Sequence, residues 1–297
     1  MPDHIAEQPL NLDAAQRGDG PFVWRFERYH RITHAAVIVS FFLLVITGLP
    51  LRFSHAFWAG PLMSLLGGVR MAGILHRTGA AITFLYFGAH LFYVVRKLVR
   101  SPDPMKVLWG PDSLVPQPRD IVDFWHQTRW YFGRGPRPHF GRWSYMEKFD
   151  YFAVFWGVAI IGGSGLLLWF PEFFSHFLPG WVFNVATVVH SDEALLAAGF
   201  IFTIHFFHVH LRPEKFPLDA VMFTGRATRS YMEEEHPGIM EEVDRHASEA
   251  PSPLQIPDTP APPPTRAASL TAAALGFIAL AVGLSLIGMI LWAVLLY

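Results

Sequence analysis

Five stretches of the chain are long and apolar enough to cross a lipid bilayer as α-helices. They cover about residues 35–53, 72–95, 151–170, 186–209 and 270–296, and a helix needs roughly 20 such residues to span the hydrocarbon core. Charged residues make up 16% of the chain, against about 25% in average soluble domains. The sequence therefore predicts an all-α integral membrane protein, with a four-helix transmembrane bundle and a fifth, C-terminal transmembrane helix.

The chain divides into four parts by composition. Residues 1–33 form a polar N-terminal segment that lacks the basic head and apolar run of a signal peptide. Residues 34–225 hold the first four apolar stretches. Residues 226–268 turn acidic and then Pro-rich, which predicts a flexible linker. Residues 269–297 carry the fifth helix.

The distribution of Lys and Arg predicts the orientation in the membrane, because these residues collect in cytoplasmic loops. The connection between the second and third stretches contains ten of them, from Arg96 to Lys148. The first connection holds only Arg52 and Arg70, and residues 170–190 hold none. The N-terminus is therefore predicted to be cytoplasmic and the C-terminus periplasmic. The net charge of −1 leaves no basic footprint for nucleic acid.

The chain also contains a weak internal repeat. The stretch "MEKFDYFAVFWGVAIIGGSGLLLWF" resembles "FERYHRITHAAVIVSFFLLVITGLPLRF" in its acidic, basic and aromatic start and in its small-residue, Gly and Leu end. Each stretch is followed by an apolar segment that begins and ends with histidine. This pattern indicates a duplicated pair of helices.

Histidines interrupt the first four apolar stretches at two depths. His76 and His190 lie near the predicted outer side, and the inner side holds His30, His34, His90, His205, His208 and His210. The fourteen residues from His76 to His90 rise roughly 21 Å and end about 40° short of whole turns. Along a regular helix from His190, His205 is about 60° past whole turns after a rise of roughly 22 Å. His208 is on the same face as His190 after a rise of roughly 27 Å. Two helices thus present imidazoles at two depths, which predicts two stacked bis-histidine sites.

Two facing imidazoles at each depth suit the axial ligation of a b-type haem between helices. The chain has no cysteine, which excludes disulfides, cysteine-ligated iron–sulfur clusters and covalent c-type haem attachment through it. A single helical histidine is more often a hydrogen-bonded packing residue than a ligand. Polar groups inside a membrane are costly and tend to mark functional sites, so several histidines at matched depths favour ligands.

Four stretches resemble the membrane-bound dihaem cytochrome b family, which includes the formate dehydrogenase gamma subunit and the cytochrome b subunits of hydrogenase and thiosulfate reductase. They are "RITHAAVIVSFFLLVITGLPL", "LHRTGAAITFLYFGAHLFYVV", "GRWSYMEKFDYFAVFWG" and "VVHSDEALLAAGFIFTIHFFHVH", and together they cover about residues 26–225. The resemblance implies haem b, a quinone as substrate and a place in the bacterial inner membrane. It also implies a partner for the other redox substrate, expected to be a periplasmic iron–sulfur or multihaem cytochrome subunit.

The resemblance further implies which histidines are ligands. His76 and His190 match the ligands of the outer haem, and His34 with either His205 or His208 matches those of the inner haem. His90 departs from the family pattern as an extra inner imidazole, and the fifth helix also lies outside that pattern. A pairing of His90 with His205 resembles bc-type complexes, and together with His34 and His208 it would give three haems. The sequence leaves two and three haems open.

Haem propionates need cationic or hydrogen-bonding partners near the membrane surfaces. Arg31, Arg96 and Arg212 are placed for this role at the inner level. The alternative is that these arginines only satisfy the positive-inside rule. No catalytic side chain is predicted.

These patterns together predict an electron-transferring, quinone-reactive subunit of an oxidoreductase complex. Two other classes are alternatives. A histidine-based metal-ion transporter would place carboxylates beside its histidines at mid-membrane, and the nearest ones, Asp192 and Glu193, are predicted to lie at one end of the fourth helix. A haem-free structural anchor would use its histidines for packing alone.

Overall fold

The computed structural model describes residues 20–246 and 260–296. Within these residues, five helices are long and apolar enough to cross a membrane, which confirms the predicted all-α membrane protein. They are span 1 (Arg28–Arg52), span 2 (Gly68–Arg100), span 3 (Tyr145–Trp169), span 4 (Trp181–Leu211) and span 5 (Arg266–Leu296). The end of spans 1–4 that carries the connections 53–67 and 170–180 is named the outer end, and the opposite end the inner end, after the predicted topology.

Each span is longer than the apolar stretch that predicts it. Span 2 has 33 residues and is therefore roughly 50 Å long, whereas the hydrocarbon core of a bilayer is about 30 Å thick. Hydropathy detects only the part of a helix that lies in hydrocarbon. Polar turns beyond it continue the same backbone hydrogen bonds, so span 2 extends to Arg100.

Short helices fill the connections between the spans, and local sequence determines where spans 2 and 3 begin. They are Ala59–Leu65, Pro104–Trp109, Pro118–Tyr131, Pro171–Phe174, Val221–Thr224, Arg229–Glu235 and Pro237–His246. Ser144 and Glu147 form a capping box at the start of span 3, which satisfies two backbone N–H groups reciprocally. Gly67, before span 2, has a φ of 83°, in the left-handed region that favours glycine.

The structure divides into two compact units. The second unit consists of the described residues within 33–125, 143–205 and 283–297, and it holds most of spans 1–4. Phe202 of span 4 is 1% exposed and packs against Phe41 and Phe42 of span 1. Gly79 of span 2 approaches span 1 closely, because a Cβ atom there would lie 3.2 Å from the backbone oxygen of Ser40. Span 3 packs against span 4.

Spans 3 and 4 contain π-helical turns. These are Val158–Gly162 in span 3, and Ile201–His205 and Phe207–Leu211 in span 4. A π-helical turn accommodates one more residue than an α-helical turn and is frequent at functional sites. The residues that follow each turn therefore face a different direction from the one that a regular helix predicts.

The first unit consists of the described residues within 1–32, 126–142 and 206–282, and it contains a three-stranded sheet. Strand β1 (Phe22–Trp24) lies between β2 (Arg226–Thr228) and β3 (Pro260–Ala261), antiparallel to both. Its apolar core consists of Val23, Ala227, Met232, Ile239, Met240 and Val243.

Residues 226–246 differ from the predicted flexible linker, since they form β2 and the two helices that follow it. Met232 and Ile239 are at most 1% exposed, so the acidic composition conceals an apolar face. The acidic side chains find cations within the unit, as Glu234 does with Arg137 at 2.6 Å. Residues 247–259, which hold most of the Pro-rich stretch, lie outside the described residues.

Candidate functional site

Two histidines far apart in the sequence meet in the second unit. His76 of span 2 and His190 of span 4 have ring centroids 6.1 Å apart, with the ring planes inclined at 67°. Both residues are half-buried. The structure thus brings together the two histidines that the sequence places at the outer level.

The Nδ1 atom of each imidazole is engaged by a neighbouring span. His76 Nδ1 lies 2.9 Å from Thr47 Oγ1 of span 1, and His190 Nδ1 lies 2.9 Å from the backbone oxygen of Ile161 in span 3. Thr47 Oγ1 donates its proton to the backbone oxygen of Leu43, so it accepts a hydrogen bond from His76 Nδ1. The backbone oxygen of Ile161 can only accept, so His190 Nδ1 is the donor there. These contacts favour a proton on Nδ1 of each ring, which would leave Nε2 of the neutral imidazole as the nitrogen able to bind a metal ion. The His190 ring contacts both Ile161 and Ser164 through Nδ1.

Glycines make room for both rings. A Cβ atom at Gly48 of span 1 would lie 3.6 Å from Cε1 of His76, which is an ordinary contact. A Cβ atom at Gly165 of span 3 would lie 3.0 Å from Cε1 of His190, which is tighter than ordinary contacts. The position of the His190 ring therefore depends on the missing side chain at Gly165.

The two helix pairs repeat this arrangement. Thr47 precedes Gly48 in span 1 as Ser164 precedes Gly165 in span 3. The Thr47 hydroxyl contacts the histidine of span 2, and Ser164 Oγ lies 3.5 Å from Nδ1 of the histidine of span 4. The weak sequence repeat thus corresponds to a repeated contact between a hydroxyl–glycine pair and an imidazole.

The separation of the two ring centroids is similar to that of two imidazoles bound to one metal ion. Imidazole nitrogens bind a transition metal such as zinc at about 2.0 Å, which places the centroids of two opposed rings roughly 6 Å apart. The centroids of His76 and His190 are 6.1 Å apart. Among residues 20–246 and 260–296, no group of three or more His, Asp or Glu side chains could hold a metal ion. A haem iron needs only two axial protein ligands, because the porphyrin supplies the others.

The inner histidines of the second unit contact span 3 through different nitrogens. His90 Nε2 lies 2.8 Å from Tyr151 Oη, whereas His205 Nδ1 lies 2.8 Å from Asp150 Oδ2. A carboxylate on the second ring nitrogen is the usual partner of a metal-binding histidine. The contact made by His205 follows that pattern, and the contact made by His90 occupies Nε2 instead.

A π-helical turn changes the spacing between the histidines of span 4. The fifteen residues from His190 to His205 include the turn Ile201–His205, which takes up one additional residue. They therefore cover nearly the same angle as fourteen residues of a regular helix. Fourteen is the separation of His76 and His90 in span 2, so spans 2 and 4 carry their two histidines at equivalent spacing.

The remaining predicted inner ligands fall in different units. His34 lies in the second unit and is half-buried. His208 is also half-buried, but it belongs to the first unit and lies in the second π-helical turn of span 4. The prediction that His208 shares a face with His190 assumed an unbroken α-helix. It is wrong because two π-helical turns interrupt that helix.

The predicted propionate partners have different surroundings. Arg31 Nε donates to the backbone oxygen of Phe223 at 2.9 Å, and the buried Arg212 pairs with Glu235. Both contacts lie within the first unit. Arg96 is exposed and lines a cavity at the inner end of span 2.

The predicted position of Asp192 and Glu193 at one end of the fourth helix is wrong. Because span 4 begins at Trp181, Asp192 lies eleven residues, roughly 16 Å, inside it. Asp192 Oδ1 accepts a hydrogen bond from Arg52 at 2.7 Å, and Glu193 Oε2 accepts one from Trp156 Nε1 at 3.3 Å. The apolar run "WVFNV" before residue 186 is the sequence feature that extends the helix.

No protein-family model matches the chain, and no curated protein matches it.

Proposed function

We propose that the chain is the b-type cytochrome subunit of a membrane-bound redox complex. It passes electrons across the membrane between a quinone pool and a periplasmic iron–sulfur or multihaem partner. The observation that carries this proposal is the pair His76 and His190, with ring centroids 6.1 Å apart and each Nδ1 held by another span.

In this proposal His76 and His190 hold the outer haem through their Nε2 atoms. Thr47 and the carbonyl of Ile161 keep the Nδ1 protons in place, which fixes the tautomer and orients each ring. Gly165 leaves the space that the His190 ring occupies. A bound haem b supplies a one-electron centre whose potential depends on its axial ligands and on the hydrogen bonds around them.

At the inner level the proposal assigns His205 and His34. His205 is favoured because its Nδ1 contacts the Asp150 carboxylate, and His34 is its partner in the family that the sequence resembles. The matched spacing of His205 and His90 favours His90 as the other candidate partner. Asp150 makes the His205 ring more basic and holds its orientation. Two haems are therefore preferred to three, and His90 and His208 stay alternatives for this level.

The proposed positions of the partners follow from the predicted topology. The outer pair lies in the parts of spans 2 and 4 nearer the end predicted to be periplasmic, so a soluble redox subunit is proposed to exchange electrons on that side. The quinone is proposed to react at the inner end, where His205 and His34 lie. The N-terminus is proposed to be cytoplasmic, the C-terminus periplasmic and the host membrane a bacterial inner membrane.

The test is the visible spectrum and haem content of the purified full-length protein. We expect a reducible b-type spectrum and two haems per chain by pyridine haemochrome. His76→Ala and His190→Ala should each remove one haem, whereas His176→Ala, an exposed control in the outer connection, should remove none. In membranes, a soluble quinol analogue should reduce the remaining haem.

The rival classes give different results in the same experiment. A structural anchor or a metal-ion transporter gives a colourless preparation, and that result would overturn the proposal. A transporter also needs several ligands around its ion, and the part of the chain that the structure describes holds no group of three or more His, Asp or Glu side chains that could bind one. Retention of both haems in His190→Ala would contradict the proposed ligands even if the protein were a cytochrome.

A further inference from the structure

A cavity with basic walls lies at the inner end of span 2. It has a volume of about 540 Å³ and is lined by Tyr93, Arg96, Lys97, Arg100, Ser101 and Val107. The first four occupy positions i, i+3, i+4 and i+7 of the helix, so they share one face. All six residues belong to the second unit.

The three cations of this cavity make no ion pair with any residue in the described part of the chain. By contrast, the buried Lys148 pairs with Asp120 at 2.7 Å. Asp103, the carboxylate that follows the cavity residues in sequence, is engaged by Lys106, which donates its backbone N–H and places its Nζ 3.9 Å away. Three uncompensated positive charges on one helical face repel one another, and an anion in the cavity relieves that repulsion.

An exposed apolar strip adjoins the cavity on the same helix. Phe92, Val95 and Val99 are 68%, 54% and 79% exposed, and they occupy positions i, i+3 and i+7 of span 2. Each is next in sequence to a residue that lines the cavity. Side chains of this kind on a membrane span contact acyl chains. Since neighbouring residues of a helix are about 100° apart, this apolar strip runs beside the cationic face at the same level of span 2.

We propose that this cavity binds the phosphate headgroup of an anionic phospholipid, whose acyl chains lie along Phe92, Val95 and Val99. Arginine pairs with phosphate oxygens through two parallel N–H groups, and lysine adds a point charge. Basic pockets beside transmembrane helices are suited to such headgroups. The positive-inside rule accounts for Lys and Arg in this connection, but it does not require three of them to converge on one cavity.

The proposal does not depend on the assignment of haem. The sequence predicts Arg96 as a propionate partner, whereas its position in an exposed cavity with Lys97 and Arg100 favours a lipid phosphate. The two roles differ in their consequences. If Arg96 binds lipid, its loss leaves the haem content and reduction potential unchanged.

The experiment compares lipids by native mass spectrometry of the full chain in detergent. Phosphatidylglycerol should bind at least about ten-fold more tightly than phosphatidylethanolamine with the same acyl chains, since each nearby basic residue contributes roughly five-fold. The double variant Arg96→Gln/Arg100→Gln should lose at least about ten-fold in phosphatidylglycerol affinity. The control Arg119→Gln/Arg134→Gln removes the same charge from other exposed positions and should bind as the wild type does.

Two further measurements distinguish lipid binding from misfolding and from the binding of free phosphate. Arg96→Lys/Arg100→Lys keeps the charge and should keep most of the affinity, so a loss in the glutamine variant alone is not caused by misfolding. Inorganic phosphate should not displace phosphatidylglycerol at equal concentration, because it lacks the acyl chains. Displacement by phosphate, equal binding of the two lipids, or unchanged affinity in the glutamine variant would each overturn the proposal.

Discussion

Thr47 Oγ1 and His76 Nδ1 lie 2.9 Å apart, so a hydroxyl group of span 1 holds the imidazole of span 2. The hydroxyl proton is committed to the backbone oxygen of Leu43, which makes Thr47 an acceptor for the ring. The orientation of His76 therefore depends on a residue of another helix. Most of the properties predicted below follow from contacts of this kind.

Thr47→Val should weaken haem binding at the outer site. Valine has a similar shape but cannot accept the Nδ1 proton, and loss of such a supporting hydrogen bond typically weakens metal binding by roughly 10–100-fold. The measurement is the haem content retained through purification together with the reduction potential of the remaining haem. Thr78→Val is the matched control, since its hydroxyl donates only to the backbone oxygen of Ile74. Equal losses in the two variants would contradict the prediction.

Gly165→Ala should disturb the outer site more than Gly48→Ala. The new methyl group would lie 3.0 Å from Cε1 of His190 but 3.6 Å from Cε1 of His76. His190 is held by the carbonyl of Ile161, so its ring cannot move away without losing that hydrogen bond. We expect a reduced haem content and a shifted spectrum in Gly165→Ala and nearly wild-type properties in Gly48→Ala. The reverse order would show that the ring positions are incorrect.

Asp150→Asn should raise the reduction potential of the inner haem. The carboxylate of Asp150 contacts His205 Nδ1 at 2.8 Å and makes the ring a stronger electron donor. A neutral amide removes that donation, which should raise the potential by roughly tens of millivolts. Redox titration of the two haems measures this, and the outer haem serves as the internal control. An unchanged inner potential, or an equal shift in both haems, would remove His205 from the proposed ligands.

Glu235 should make the first unit sensitive to acid. Burial alone would raise the pKa of Glu235, but the cations of Lys215, Arg212 and Arg137 outweigh it and lower the pKa from 4.5 to about 2. A carboxyl group with a lowered folded-state pKa stabilises the fold above its unfolded pKa, and this contribution is lost as the pH falls through the folded value. We therefore expect constant stability between pH 7 and pH 5 and a loss approaching roughly 3 kcal/mol by pH 2.

Hydrogen exchange of the peptide 226–246, corrected for the intrinsic rate at each pH, measures this loss. Glu235→Gln should be less stable at pH 7, because it leaves buried cations without their partner, and it should lose most of the pH dependence between 4.5 and 2. Glu241→Gln, at an exposed position, should behave as the wild type. A pH dependence in Glu235→Gln equal to that of the wild type would assign the effect to another group.

Much of the fold could be predicted from hydropathy, because an apolar stretch of bilayer length has few alternatives to a helix. The ends of the helices could not be predicted, since polar turns continue a helix without an apolar signal. Span 2, for example, continues through polar residues to Arg100. Asp192 was expected at the end of the fourth helix and lies inside span 4, because the mostly apolar residues 181–185 already belong to that helix. The acidic composition of residues 226–246 predicted a flexible linker, but these residues fold. Their acidic side chains pair with cations from distant parts of the chain, and such pairs depend on tertiary contacts that composition does not show.

The sequence by itself determined the number of spans and the two depths at which histidines occur, because both depend only on local composition and residue spacing. Only the tertiary structure decided which imidazoles meet and which nitrogen of each is engaged, because these depend on the packing of separate helices. It also decided between His205 and His208 as the residue that matches His90 in spacing. A π-helical turn forms where packing stabilises it, and the extra residue that it accommodates is invisible to a calculation based on a regular helix.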